Sequence, residues 1–352
     1  MFKKFILFIL IFKNIFSVNY PEVANDRQVN AYVTLATSVS GSGDTYSTGA
    51  ASAQGFCWFK SKLDTNGTGT GGIYVATPLV VSRGLYLSSW NTLDLQKDLF
   101  LAADCNLERS GKVAPGIDTR NESALILLGN FDLKNNTLTF TGGQGRLTPF
   151  TINRNAPCYL DGNSCTIDFS SGGSIVQDTG PRGSLTIRNA ILKGLKTVGS
   201  TPNLNIKTGD LYLDNIYIKL HGDYSIGSAR KALHVYGDLI ITGSYVFTID
   251  GACYIYDDAR IYLNKDTTLK LGISASINLR GTKTGGFYFN GSKIDISSKN
   301  FNQYEGRIIF ENDIIIDDSS SSKLFVLGPA CSIDCLANAR VLLEGTTTFS
   351  II

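Results

Sequence analysis

Histidine is nearly absent from this sequence. His221 and His234 are the only two in 352 residues. That shortage excludes the commoner transition-metal centres. The seven cysteines, at 57, 105, 158, 165, 253, 331 and 335, have no zinc-ligand spacing to compensate. Neither a metal nor a cofactor is expected. Charge is thin too: 32 Lys and Arg stand against 30 Asp and Glu. A near-neutral chain offers no electrostatic grip on nucleic acid. No apolar run approaches the roughly 18 residues of a membrane-spanning helix. There is no Gly-x-Ser-x-Gly, and the glycine-rich TNGTGTGG at 65–72 lacks the lysine and helix of a phosphate-binding loop.

Glycine, by contrast, is abundant, with 36 residues, and the apolar fraction of 43% is enough for a sizeable core. One spacing recurs. Leu185, Ile187, Asn189 and Leu192 have counterparts in Phe131/Leu133/Asn135/Leu138, Leu211/Leu213/Asn215/Ile218 and Ile308/Phe310/Asn312/Ile315. Leu239/Ile241/Gly243/Val246 carries glycine in the Asn slot. Two apolar residues one apart fit a strand with one buried face. An Asn or Gly two positions later fits a corner in the left-handed region, which those residues tolerate best. The corners lie 26 residues apart from Asn189 to Asn215 and 28 from there to Gly243, which suits a solenoid repeat. A longer echo runs the same way: Ala252-Cys253-Tyr254-Ile255 matches Ala330-Cys331-Ser332-Ile333, and 257–271 matches 337–351. The expected fold is all-β, a right-handed parallel β-helix over 71–352. The alternative is an antiparallel β-sandwich, which the scarcity of Asn-Gly and Asp-Gly hairpin signals disfavours.

Residues 1–19 read as an export signal of the bacterial type, with Lys3 and Lys4 ahead of an apolar stretch from Phe5 to Phe12. Residues 20–70 are a polar lead-in and cap, in which FCWFKSKL at 56–63 has the apolar spacing of a short helix. Ile73-Tyr74-Val75 then opens the strand-like sequence. This order resembles the entry to the pectin-lyase-like right-handed parallel β-helix superfamily, where a short helix caps the coil and a strand of this kind opens its first turn. The resemblance implies an exported coil, found as a secreted, periplasmic or cell-surface protein. It also implies a choice between a polysaccharide lyase or glycoside hydrolase and a non-enzymatic, autotransporter-passenger-like scaffold.

Polygalacturonase-like members carry an Asp-Asp pair, and Asp257-Asp258 with Arg260 is the nearest match. Glycoside hydrolysis needs two carboxylates roughly 5–10 Å apart. However, the flanking Asn-Thr-Asp, Gly-His-Gly and Arg-Ile-Lys motifs are missing, and the echo has Ala337-Asn338 in that place. Asp257 and Asp258 therefore read as a turn. Asp317-Asp318 and His221-Gly222-Asp223 read the same way. Cys158 and Cys165 flank a turn at 161–163 and are placed to pair, although inward-facing core cysteines are the simpler reading. Tyr212, Tyr217, Tyr254, Tyr256 and Tyr262 alternate with inward residues, so they face outward. A run of tyrosines on one side of a coil is a way to stack sugars or anchor a protein. The expected function is thus a non-enzymatic scaffold, adhesin-like, binding a host, envelope or glycan partner. The apolar last rung, with Val341, Leu343, Phe349 and Ile351, is expected to self-associate.

Overall fold

A computed structural model describes residues 157–178, 183–228, 230–282, 284–318, 323–336, 339–345 and 348–351, with 123–140 and short strands between Val29 and Thr119 upstream. The chain is an all-β parallel solenoid of about 8 coils. Thr197–Val198 with Thr201–Pro202 is the one antiparallel strand pair among the described residues, so the β-sandwich alternative is excluded. Each coil has three faces. Long bent strands such as Ser184–Leu195 and Asp210–Leu220 carry the first face, turn a corner and continue as the second. The third face is built from short strands, among them Val246–Ile249, Thr268–Leu271 and Lys293–Asp295.

Alternation of apolar and polar residues produces this coil, because every second side chain points inward. On the first face Leu185, Leu211, Leu233, Cys253 and Ile277 lie in register, one per coil. On the second, Leu192, Ile218, Ile241, Leu263, Phe289 and Phe310 do the same. Leu185, Ile187, Leu211, Leu213, Ile308 and Phe310 are each at most 1% exposed. Burying such a side chain is worth about 1.5–3 kcal/mol, and stacked coils bury it against neighbours above and below. Toward the last coils the filling turns aromatic, with Phe301 stacked on Phe325 at 4.6 Å.

The corner between the first and second faces holds a left-handed residue on successive coils: Asn189 (φ 51°), Asn215 (54°), Gly237 (61°), Asp257 (50°), Gly281 (71°) and Gly306 (85°). Asn189 and Asn215 are thus the corner residues their spacing implied. Gly243 and Asn312 are not their equivalents. Ile216 pairs with Leu239, and Ile308 pairs with Phe287 on the second face. Those two motifs therefore end the second face, at the next corner. Asn312 is not left-handed there, and its amide instead donates to the Asn290 side chain one coil away. The same apolar-x-apolar-x-Asn pattern serves both corners because each terminates a strand with two inward residues.

The 1–19 signal lies outside the described residues, as does most of the 20–70 lead-in. Of the expected capping helix only Cys57–Phe59 and Leu63–Asp64 are described, and both are strands. Cys158 is fully buried, and Cys165 packs partly buried against the core. Burial pushes the Cys253 thiol up to about 12, the chemistry of an inert core residue. In the last coil Val341, Leu342 and Leu343 are exposed; the side chains of Phe349 and Ile351 lie outside the described residues.

Candidate functional site

Outward positions on the first face of three consecutive coils are aromatic. Register brings Tyr212, His234 and Tyr254 side by side. Their rings stack, with centroids 4.1 Å apart from Tyr212 to His234 and 4.9 Å from His234 to Tyr254. A second column stands beside the first: Tyr236 stacks on Tyr256 at 4.2 Å and lies 6.2 Å from Tyr212. Arg280, opposite Tyr256 in the next coil, places its guanidinium 5.1 Å from the Tyr254 ring centre. These are the cross-strand pairs by which aromatics stabilise a sheet face, continued over four coils.

The central ring is His234, buried to 7% exposure on the outer face of the sheet. Its Nδ1 is 3.0 Å from the Tyr256 hydroxyl. Its Nε2 faces Asp210 Oδ2 at 3.5 Å, longer than a hydrogen bond, and has no hydrogen-bond partner. The Asp210 carboxylate also accepts the backbone N–H of Ala232 at 2.8 Å. The imidazole first, then that N–H, hold the Asp210 carboxyl below the usual carboxylate range, against the burial that would raise it. Burial, with the Tyr256 phenol beside it, pushes Tyr236 upward. Tyr212 is raised by burial first and then by the Asp210 charge.

One flank of these columns opens into a cleft of about 480 Å³. It is lined by Asp210, Arg230, Lys231, His234, Tyr256 and Arg280, among others. Its rim is the turn after Tyr224–Ile226, which reverses at Gly227 (φ 84°) and is closed by mutual backbone bonds between Ser228 and Lys231.

The structure therefore divides the five expected tyrosines. Tyr212, Tyr254 and Tyr256 belong to this cluster. Tyr217 and Tyr262 sit around the corner on the second face, where Tyr262 packs on Tyr288 at 4.6 Å. Each ring of the cluster has at least one face against another ring. Asp210, His234, Tyr236 and Arg280 were not singled out from the sequence. Their coils are separated by 22 and 20 residues along the Leu211–Leu233–Cys253 row, and without that register they have no visible relation.

Asp257 and Asp258 are exposed at the first corner. Asp257 Oδ1 accepts the Thr282 backbone N–H at 3.3 Å, a turn contact. Arg260 turns down the second face instead, donating to the Tyr262 hydroxyl at 2.8 Å and lying 5.6 Å from the Tyr288 ring centre. Asp317 pairs with Lys293 at 2.6 Å, and Asp318 is buried and accepts the Lys323 N–H. Asp223 accepts the Val246 N–H at 2.9 Å. Among the described residues no group of three or more His, Cys, Asp or Glu is arranged to hold a metal ion, and no helix is long and apolar enough to cross a membrane. No family model matches this chain, and no curated protein or solved structure matches it either.

Proposed function

We propose that the chain is an exported, non-enzymatic β-solenoid scaffold that binds a glycan through the first-face cluster of Tyr212, His234, Tyr236, Tyr254 and Tyr256. The observation that carries this reading is the juxtaposition of two aromatic columns with a cleft rimmed by Arg230, Lys231 and Arg280. Phenolic hydroxyls, guanidinium donors and one carboxylate suit a polyhydroxylated ligand, which must exchange many hydrogen bonds with water for hydrogen bonds with protein. The stacked strands of the coil hold the aromatic groups and Arg280, and a backbone-closed turn carries Arg230 and Lys231. The likeness to pectin-lyase-like β-helices supports export and surface display.

A second reading, a polysaccharide lyase or hydrolase of that superfamily, is favoured by one specific feature. The chain of contacts Asp210–His234–Tyr256 ends at a phenolic oxygen on a residue in register with Arg280, and such a chain is a way to move a proton. Against it, His234 is sandwiched between two rings and its neighbouring phenols are pushed up. No second carboxylate lines the cleft to work with Asp210.

The test is a glycan array with the purified chain, followed by titration of the best ligand, comparing native protein with Tyr254→Ala and Tyr256→Phe. Saturable binding weakened by those changes, with no new reducing ends or unsaturated products, supports the scaffold. Turnover abolished by Tyr256→Phe establishes the enzyme instead. Binding to immobilised protein partners and to no glycan sinks the ligand class.

A further inference from the structure

Cations on the sheet faces of this solenoid are commonly met by an aspartate one coil away. Arg188 meets Asp161 at 2.8 Å, Lys193 meets Asp168 at 2.7 Å, Lys270 meets Asp295 at 2.8 Å, and Arg307 meets Asp334 at 2.6 Å. Three cations without such a partner converge on the first-face cleft. Arg230, Lys231 and Arg280 have no acidic partner among the described residues, although all three line the same cavity. Its one carboxylate, Asp210, is already engaged by His234 and the Ala232 N–H. Three cationic side chains against one carboxylate leave the cleft with a formal excess of two positive charges from its Arg, Lys and Asp residues. Beneath them His234 is more than nine-tenths buried, its Nε2 turned to Asp210 at 3.5 Å, so that the carboxylate is held by the ring and not by the cations.

We infer that this cleft binds a tetrahedral oxyanion, the phosphate or sulfate ester of a saccharide. The inference rests on the glycan reading above and names the part of the glycan that is gripped. A phosphomonoester carries close to two negative charges and three strong acceptor oxygens near neutral pH, which complements the excess charge. Donors approach it from separate directions: Arg230 and Lys231 from the turn at 227–232, Arg280 from two coils further along. A planar carboxylate is satisfied by one guanidinium fork and would leave the remaining cations unmet. The Tyr254 ring under Arg280 holds that guanidinium in place. The phenolic edges of Tyr254 and Tyr256 are left to contact the sugar.

The experiment is calorimetric titration of the full chain with glucose 6-phosphate, glucose 6-sulfate, glucuronate and glucose at two salt concentrations. The expected result is binding of one or both oxyanion sugars, weakened by added salt. Arg280→Gln and the double variant Arg230→Gln/Lys231→Gln should each weaken it at least tenfold. All three positions lie outside the core, and an unchanged circular dichroism spectrum and Tm would show that the variants fold. Glucose binding as tightly as its phosphate overturns the oxyanion inference but leaves the glycan reading standing. Glucuronate binding as tightly overturns the tetrahedral preference. Oxyanion sugars that bind equally well to Arg280→Gln and to the double variant place the site elsewhere. If none of the four sugars binds and the glycan array is blank, both readings fall; a positive array with four silent sugars overturns only this one.

Discussion

Gly281 lies one coil from Asp257, and a Cβ built on Gly281 would stand 2.0 Å from the Asp257 carboxylate oxygen Oδ1. Both residues are left-handed, at φ 71° and 50°. The acidic pair that most invited a catalytic assignment is therefore part of the corner column begun by Asn189 and Asn215.

That column gives a stability series. Asn215→Ala and Asp257→Ala should each cost more than the corresponding change to Gly, since a left-handed alanine is penalised by about 1–2 kcal/mol. Gly237→Ala and Gly281→Ala should be worse still, because each adds a Cβ about 2 Å from a side-chain oxygen of the coil before. Urea unfolding curves would rank them. Glycine proving the more damaging replacement at Asn215 or Asp257 would refute the assignment.

Inward rows should be intolerant of charge. Ile187→Asp or Leu213→Asp would bury an unpaired carboxylate in a core where both residues are 0% exposed, and no folded protein is expected. Leu213→Ala, leaving a cavity, should fold with a loss of about 2–5 kcal/mol. Circular dichroism and denaturant midpoints distinguish these outcomes, and a folded Leu213→Asp would contradict the inward placement.

His234 should matter as a ring and as a polar group separately. His234→Ala removes ring contacts with Tyr212, Tyr254 and Tyr256 and the polar partner of the Tyr256 hydroxyl, for about 2 kcal/mol in all. His234→Phe restores the stack and should recover about half of that. Equal losses for the two variants would mean that the stack contributes nothing to stability.

Acid should destabilise the chain. Asp168, Asp210 and Asp295 have carboxyls held below their ordinary value. For Asp168 and Asp295 burial works upward but is outweighed by hydrogen bonds from Lys193 and Lys270 respectively, and from Ser170 and Ser297. A carboxyl lowered by folding stabilises above its unfolded pKa of about 3.9, and that contribution is lost as pH falls through the folded value. Asp214, raised by burial, acts in the opposite sense. Tm should therefore decline between about pH 5 and pH 2, with a shallower slope for Asp210→Asn, and a flat profile would count against these contacts.

Polygalacturonate and pectate should remain intact in the presence of the protein, with or without calcium, because Asp257 and Asp258 have no convergent acid–base partner. Product release that disappears in Asp257→Asn would reverse that conclusion.

Much of the coil was legible in the sequence. Period-two alternation, interrupted at intervals by Asn or Gly, specified parallel rungs, inward Leu185 and Leu213, and left-handed corners at Asn189 and Asn215. These are local properties, set by strand geometry and by the steric cost of positive φ. Which face a segment occupies was not legible. Cys253 and Ile255 lie on the first face, whereas their sequence echoes Cys331 and Ile333 pair with Gly306 and Ile308 on the second. Arg260–Leu263 is on the second face, and its echo Val341–Gly345 is on the third. All three faces ask for the same inward-outward pattern, so the pattern carries no face label. Position in the coil depends on the summed lengths of the intervening turns, which vary from one coil to the next. Only the stacking of one coil on another settles that sum. It alone brought Asp210, His234, Tyr256 and Arg280, spread over seventy-one residues of chain, to one side of one cleft.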